Sequence, residues 1–305
     1  MTGIDEAKKR IDENKISRDK CYYNDEYTNM CYLDISGEVP VIKFRCMEKY
    51  DYITLAFSTR LGGVSHDEEF LESLNFGWDR GDKEENVREN YKRICRSIDG
   101  DYRKLVLSDQ VHDNKVMYVD ERYEAGESIE KKIKGIDGLT TDRKGLILAT
   151  SYADCVPLFF FDPVRKIIAS SHSGWRGTVG FIGSETIEKM KKLYGSKAED
   201  IICIVGPSIY QECYEVSEDV IEEFKKVYDK SVWNDIFYEK NDGKYQLDLW
   251  AANYHQFRKC NIPHQHIYVS GLCTCCNSDI LYSHRASHGK RGNLNGFMMI
   301  NNVFK

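Results

Sequence analysis

The alternation of short apolar runs with amphipathic segments is the feature that most constrains the fold of this 305-residue chain. Apolar runs predict strands at Leu146–Thr150, Val156–Phe161 and Lys166–Ser171, because short apolar stretches with polar boundaries are typical of buried strands. Apolar residues recur at helical spacing in Asp82–Asp99, and Thr178–Tyr194 is another predicted helix. Strands interleaved with helices over this length predict a layered α/β domain.

The domain organisation follows from charge and proline content. Residues 1–26 are predicted to form a charged N-terminal extension, helical over its first 20 residues, and residues 27–305 a single domain. The chain has five prolines and no Pro- or Ser-rich linker after the extension, so no further boundary is predicted. The first 20 residues alternate charges where a signal peptide needs an apolar core, and we therefore expect a cytoplasmic protein.

The composition argues against two classes of partner. The chain has 43 Lys and Arg residues against 49 Asp and Glu residues, a formal net charge of −6, and no cluster of cations. Binding to nucleic acid is therefore not expected, because it depends on clustered cations that face phosphates. No run approaches the roughly 18–20 apolar residues of a membrane span, so no membrane association is expected either.

Three potential metal ligands lie at the ends of predicted strands. The eleven cysteines, an odd number, are expected to be reduced thiols and mostly small buried side chains. Cys155 stands between two apolar runs, His172 ends the next one, and His112 precedes another. A His, Cys and His set with an open fourth position is the donor set of a catalytic zinc. Their spacing matches no short zinc motif, so a buried structural histidine remains the alternative for His172.

Seven motifs follow one another along the chain: Phe57–Ser65, Leu74–Gly77, Gln110–His112, Asp137–Asp142, Ala153–Leu158, His172–Thr178 and Gly206–Ile209. Together they resemble the YfiH-type laccase-domain family, whose members are called polyphenol oxidase or purine nucleoside phosphorylase. The likeness runs from about Thr54 to the C-terminus. The chain departs from the family in 283–293, where two adjacent arginines commonly follow an aromatic residue.

The resemblance implies a fold, a cofactor and a reaction. The implied fold is a four-layer αββα sandwich of the cysteine-hydrolase-like YfiH type, an α/β architecture with two sheets between helices. The implied cofactor is zinc, held by His112, Cys155 and His172. The implied activity is phosphorolysis of adenosine, inosine and methylthioadenosine, with adenosine deamination at the same site. Purine nucleosides and phosphate are then the expected partners, and the chain can be a monomer or a dimer.

The residues expected to act follow from the resemblance and from the chemistry of phosphorolysis. The site must hold a phosphate, and the planar guanidinium groups of Arg60 and Arg176 suit an anion. Arg176 precedes a predicted helix, and the amides of Gly177 and Thr178 at its start are expected to add partial positive charge. The expected catalytic residues are Cys155, His172 and Arg176, and the expected substrate-binding residues are Arg60, Gln110, Asp137 and Arg285.

Two other functions stay open at this point. Cys155 as nucleophile with His172 as base would make a cysteine hydrolase, an amidase or an editing enzyme for peptidoglycan peptides. A copper-dependent polyphenol oxidase is the lesser alternative, because the chain has eight histidines and one His-x-His pair, His264 and His266. The Cys273-x-x-Cys276 motif and the His66-x-Glu68 motif together imitate the signature of zinc deaminases, and we interpret that match as accidental.

Overall fold

Two large β-sheets form the centre of the molecule. The computed structural model describes residues 3–13, 20–22 and 29–302. In chain order the strands are β1 (Cys31–Asp34), β2 (Val41–Phe44), β3 (Ile53–Ser58), β4 (Leu105–Asp109), β5 (Val116–Tyr118), β6 (Ile133–Lys134), β7 (Gly138–Thr141), β8 (Ile147–Tyr152), β9 (Val156–Asp162), β10 (Ile167–Ser173), β11 (Ile202–Val205), β12 (Glu215–Val216), β13 (Phe237–Glu239), β14 (Tyr245–Leu247), β15 (Ile267–Val269) and β16 (Leu294–Ile300).

The helices are short to medium in length and lie between these strands along the chain. In the described part of the chain, no helix is both long and apolar enough to cross a membrane. The α-helices are α1 (Gly3–Asp12), α2 (Glu84–Ser97), α3 (Trp175–Val179), α4 (Ile182–Tyr194), α5 (Glu218–Val227), α6 (Trp233–Ile236) and α7 (Leu249–Lys259).

The strands form two mixed sheets and one small antiparallel sheet. The seven-stranded sheet has the order β1-β2-β3-β16-β8-β4-β6, and the six-stranded sheet has the order β15-β11-β9-β10-β7-β5. Most neighbours are antiparallel, whereas β4 pairs in parallel with β6 and β8, β5 with β7, and β11 with β15. Strands β12, β14 and β13 form the small sheet, which the sequence patterns did not predict.

Three apolar cores separate the layers. Phe159 and Phe161 of β9 and Met298 of β16 lie in the core between the two large sheets. Their chain neighbours face outward, because side chains alternate along a strand. Phe160 packs in the core with α4, α5 and α7, and Phe297 packs in the core with α2. Helices therefore pack against both large sheets. The α/β class that the resemblance implied is confirmed, and the four-layer αββα order stays a prediction.

The N-terminal helix packs on the edge of the seven-stranded sheet. Its Ala7 and Ile11 are buried in the core between the sheets, and Lys8 donates to the carbonyl of Leu33 in β1 at 3.0 Å. The prediction of a charged N-terminal helix is confirmed over Gly3–Asp12, where the helix is part of the packed structure, and residues 14–19 of the predicted helix lie outside the described residues. The predicted boundary at residue 26 lies outside the described residues, so the division into an extension and a single domain stays a prediction.

The predicted helix Thr178–Tyr194 is two helices in the structure. Helix α3 begins at Trp175, and α4 begins at Ile182. Phe181, between them, has a left-handed φ of 58° and follows Gly180, so the chain turns there. The prediction placed Arg176 ahead of a helix, but Arg176 lies inside α3. The amide of Thr178 donates to the carbonyl of Gly174 at 2.8 Å, so it is not available to an anion.

Candidate functional site

The ends of three strands and the loops beside them bring His112, Cys155 and His172 together. Cys155 lies in the three-residue connection between β8 and β9, where the chain crosses from one large sheet to the other. His172 is buried near the end of β10, and His112 is exposed three residues after β4. The structure therefore brings together the three residues that the sequence predicted as ligands.

The geometry of the three side chains fits a metal ion. Their ligand atoms all lie within 4.8 Å of one another. His112 Nε2 is 3.9 Å from Cys155 Sγ, and the centres of the two imidazole rings are 4.7 Å apart. Tetrahedral zinc, with bonds of about 2.0–2.3 Å, separates its ligand atoms by about 3.5 Å. Small movements would close the set around zinc, and the exposed side of His112 leaves room for a further ligand.

Asp137 holds both histidines in place. Its buried carboxylate accepts backbone N–H bonds from Val111, His112 and Asp113 at 2.9–3.1 Å. Its Oδ1 also lies 2.9 Å from His172 Nδ1. With Nδ1 bonded to a carboxylate, Nε2 of His172 is the nitrogen that can bind a metal. Asp137 therefore positions the ligands, and the prediction that it binds substrate stays untested.

Cys155 and His172 form a polar pair in the absence of metal. Burial raises the pKa of the Cys155 thiol, but the charge of His172 and hydrogen bonds from both histidines lower it to about 6. Burial lowers the pKa of His172, but the charge of Cys155 and the hydrogen bond to Asp137 raise it to about 9. Thiolate and imidazolium therefore stabilise each other, and a thiolate is the form that binds metals or attacks carbonyls.

The backbone around the ligands takes unusual conformations. His112 has a φ of 63° and Asp154 a φ of 79°, both in the left-handed region. The Asp154 carboxylate accepts from the Thr274 hydroxyl at 2.6 Å and from the backbone N–H of Arg285 at 2.7 Å. These two bonds fix the turn that presents Cys155. A conformation of this kind is uncommon for residues other than glycine and persists where surrounding contacts hold it.

Two arginines face the cavity that contains the three ligands. Arg80 and Arg291 line it together with His112, Cys155 and His172. Burial and the charge of Arg80 lower the pKa of Arg291 to about 10, although Cys155 and Asp154 oppose this. Nε of Arg291 is buried and has no hydrogen-bond partner among the described residues. Two mutually repelling cations and an unpaired N–H group are the features that an anion would satisfy.

The other predicted site residues have different surroundings. Gln110 lines the same cavity, but its amide exchanges two hydrogen bonds with the backbone of Ser151. Arg60 lines a neighbouring cavity and donates to the carbonyls of Glu72 and Ser278 at 2.7 and 2.9 Å. The N–H groups of the Arg60 guanidinium are thus largely bonded to backbone carbonyls. Its role in substrate binding stays a prediction, and so does that of Gln110.

Arg176 and Arg285 do not line the cavity that contains His112, Cys155 and His172. Arg176 is exposed, and its guanidinium lies 4.2 Å from the centre of the Trp175 ring. Arg285 donates to the carbonyls of Cys213 and Glu215 at 3.3 and 2.9 Å. The geometry favours Arg80 and Arg291 over these two as the anion-binding pair, while the catalytic role of Arg176 stays a prediction.

The sequence analysis missed Arg80 and Arg291, although a signal for each was present. Arg80 lies three residues after the motif Leu74–Gly77. Arg291 lies in the segment 283–293, which departs from the family pattern. His66 is exposed and lies 3.6 Å from a carboxylate oxygen of Glu72. It belongs to no potential metal group of the described residues, whereas Cys273 and Cys276 do, which agrees with the interpretation of the deaminase-like match as accidental.

Comparison with known proteins identifies relatives. The sequence model of the family described as multi-copper polyphenol oxidoreductase laccase matches residues 54–301. Purine nucleoside phosphorylase YlmD of Bacillus subtilis is 35% identical over 249 residues, 81% of this chain and 88% of that protein. Adenosine deaminase RL5, from an unknown prokaryotic organism, is 34% identical over 233 residues, 75% of this chain and 87% of that protein. The crystal structure of Bacillus licheniformis hypothetical protein YfiH has a TM-score of 0.82 and 31% identity, covering 88% of this chain and 99% of that chain.

Gly174 is predicted to be required for the ligand geometry. A Cβ atom at this position would lie 2.9 Å from His112 Cδ2 and 3.1 Å from Cys155 Sγ. We expect Gly174→Ala to reduce bound zinc sharply, because both ligands must move apart. Gly177→Ala is the matched control, since its Cβ would meet no atom closer than 3.3 Å. Zinc per chain is measured by elemental mass spectrometry, and equal zinc in both variants would contradict the prediction.

The reactivity of Cys155 is predicted to follow its lowered pKa. In metal-free protein, the rate of alkylation by iodoacetamide is expected to rise as the pH passes through about 6 and to level off above pH 7, because the thiolate reacts. Cys21 is the internal control, since burial and then the charges of Asp235 and Asp248 raise its pKa to about 12. Peptide mass spectrometry distinguishes the cysteines. A Cys155 rate that still rises between pH 8 and pH 9 would refute this expectation.

Proposed function

This chain belongs to the family described as multi-copper polyphenol oxidoreductase laccase, and we propose that it is a zinc-dependent purine nucleoside phosphorylase. Its proposed substrates are adenosine, inosine and methylthioadenosine, together with phosphate, and its proposed second activity is the deamination of adenosine. The names of the two relatives, a purine nucleoside phosphorylase and an adenosine deaminase, support both activities. The observation that carries the proposal is the pair Arg80 and Arg291, which faces the same cavity as the three ligand side chains.

Phosphorolysis needs an anion held beside the reacting carbon of the ribose. In the proposed complex, phosphate lies between Arg80 and Arg291 and offsets the burial and the repulsion from Arg80 that together lower the pKa of Arg291. The unpaired Nε of Arg291 gives phosphate a buried, charge-assisted hydrogen bond. Both arginines can then hold phosphate oxygens in fixed directions, which orients the nucleophile without a covalent step on the protein.

The ligand set fits zinc by its chemistry and its geometry. His112, Cys155 and His172 are the residues that would hold the ion, with Asp137 orienting His172 from behind. A bound zinc would supply a Lewis acid with an open position, at which a water molecule has a pKa of about 7. Asp137 keeps the Nδ1 proton of His172 in place, and the left-handed turn at Asp154 keeps Cys155 directed toward both histidines.

The nucleoside is proposed to extend into the adjoining cavity. That cavity is lined by Arg60, Phe70 and Tyr282, and Arg291 lines both cavities. The guanidinium of Arg60 lies 4.7 Å from the centre of the buried Tyr282 ring, so a cation–aromatic pair forms part of this wall. Purine bases pack well on such surfaces. In this arrangement Arg60 contacts the base, as a substrate-binding residue, and does not hold the phosphate.

A cysteine hydrolase is the second candidate function, and one arrangement favours it. Cys155, His172 and Asp137 stand in the order of nucleophile, base and orienting carboxylate, with 2.9 Å between His172 Nδ1 and Asp137 Oδ1. The lowered pKa of Cys155 also suits a nucleophile. A bound zinc and a free nucleophilic thiolate exclude each other at Cys155. Zinc content therefore decides between the two functions.

The two proposed reactions are predicted to differ in their need for phosphate. Release of hypoxanthine from inosine should require phosphate, because phosphate is the nucleophile. Release of ammonia from adenosine should not require it, because water is the co-substrate. Chromatography of the products, with and without phosphate, separates the two. Base release at the same rate with and without phosphate would contradict phosphorolysis and favour hydrolysis.

Arg291 is predicted to bind the phosphate. Loss of a charge-assisted hydrogen bond costs about 1.5–3 kcal/mol, so Arg291→Ala should lower kcat/KM for phosphate by about tenfold to over a hundredfold. Arg291→Lys should recover little of it, because a lysine cannot form the planar fork. Deamination should change far less.

Two further variants control this experiment. Arg103→Ala removes an exposed arginine that pairs with Asp101, away from both cavities, and should leave kcat/KM for phosphate unchanged. Arg176→Ala tests the prediction made from the sequence. A loss in Arg176→Ala together with no loss in Arg291→Ala would assign the phosphate to Arg176.

A further inference from the structure

Three other cysteines meet on the side of the molecule that carries the Cys273-x-x-Cys276 motif. Cys213 ends a short 3₁₀ helix, and its Sγ lies 3.4 Å from Cys276 Sγ. The sulfur atoms of Cys213, Cys273 and Cys276 all lie within 4.8 Å of one another. Neither the ligand set of the first site nor the proposed function uses this cluster.

We propose that Cys213, Cys273 and Cys276 form a second metal site, which binds a thiophilic d¹⁰ ion of the Zn²⁺ class through three thiolates. Zinc with bonds of about 2.3 Å to sulfur places tetrahedral sulfur atoms about 3.8 Å apart. The Cys213–Cys276 separation of 3.4 Å is close to this value, and the other two separations are no longer than 4.8 Å. Thiolates select soft ions over Mg²⁺ and Ca²⁺.

The hydrogen bonds at Cys273 support a charged sulfur. Its Sγ accepts backbone N–H groups from Tyr210 at 3.3 Å and from Cys276 at 3.4 Å. Two donors directed at one buried sulfur favour the thiolate over the thiol, which needs no donors. A cation among the three sulfurs would add the positive charge that such a thiolate attracts.

A disulfide explains less of this geometry. It would join Cys213 to Cys276 and would leave Cys273, with its two N–H donors, outside the bond. A metal uses all three sulfurs. Binding of Zn²⁺ by three thiols releases three protons to the solvent and leaves a complex of charge −1. Arg285 lies close enough to balance this charge, since its guanidinium donates to the carbonyl of Cys213 at 3.3 Å.

The site has an entry path and an open position. Cys276 is exposed, whereas Cys273 is buried and Cys213 is half-buried. The ion can therefore enter on the Cys276 side, and a water molecule can complete its coordination there. Cys275, the neighbour of Cys276 in the chain, is half-buried and does not belong to the cluster.

The second site supports the turn that presents Cys155. Thr274, between two of the proposed ligands, donates its hydroxyl to Asp154 at 2.6 Å. The backbone N–H of Ile209, on the segment that leads to Cys213, donates to the carbonyl of Asp154 at 3.0 Å. A metal that joins these two segments therefore holds Asp154 from both sides. Its proposed role is structural, and it does not depend on the proposed function.

The test is the zinc content of the protein purified under reducing conditions with Zn²⁺ and desalted. We expect two equivalents per chain in the wild type, one in Cys276→Ser, one in Cys155→Ser and none in the double variant. Cys213→Ser should match Cys276→Ser, because each removes one of three ligands. Cys275→Ser is the matched control and should keep two. Native mass spectrometry counts the ions on folded protein only, so a misfolded variant is not mistaken for a metal-free one.

A second measurement uses the wild type alone. Zn²⁺ added to the metal-free protein should slow alkylation of Cys276 and leave Cys275 unchanged. One equivalent that is lost only in Cys155→Ser would overturn the second site. So would a Cys213–Cys276 disulfide, seen as a mass two daltons lower, or loss of zinc from Cys275→Ser. Each of these outcomes leaves the phosphorolysis assay unaffected, so failure here is distinct from failure of the proposed function.

Discussion

One buried carboxylate organises the candidate site. Asp137 accepts three consecutive backbone N–H groups from residues 111–113 and faces the ring of His172. It therefore fixes the left-handed loop that carries His112 and the tautomer of His172 together. Burial raises the pKa of Asp137, but the hydrogen bond and the charge of His172 hold it below the usual value. A carboxylate that stays ionised in a buried position needs all these donors, and they in turn need the carboxylate.

The connection between the two large sheets places Cys155. Strands β8 and β9 belong to different sheets, and only residues 153–155 connect them. Such a short crossing requires a sharp turn, which the left-handed Asp154 provides. Contacts from Thr274 and Arg285 then hold this residue. The site is therefore built where the two sheets are joined, and segments far apart in sequence stabilise it. The two large sheets form the rigid scaffold of the site, and the connections between their strands hold the residues expected to act.

The sequence indicated those parts of the site that depend on local patterns. Cys155 and His172 are at strand ends, so the ends of the apolar runs located them. The break between α3 and α4 was not predicted, because the pattern continues at helical spacing on both sides of Gly180. The motifs indicated where Arg80 and Arg291 lie along the chain but not that the two line one cavity, and no pattern indicated that Cys213 lies beside Cys273, which is far from it in sequence. Only the folded chain brings these groups together.

The positive charge of Arg80 and Arg291 distinguishes among the functions that the family name and the three potential metal-binding side chains suggest. A polyphenol or a peptide amide is neutral at the reacting group, so it offers no counter-charge to Arg80 and Arg291. Phosphate carries up to two negative charges and can therefore pair with both arginines. A multi-copper cluster needs many imidazoles, whereas no potential metal group in the described residues contains more than two histidines. His264, of the His-x-His pair, faces Tyr254 at 3.1 Å. The exposed Arg80 and the half-buried Arg291, beside the cluster of His112, Cys155 and His172, thus favour a dianionic co-substrate over oxidation or amide hydrolysis.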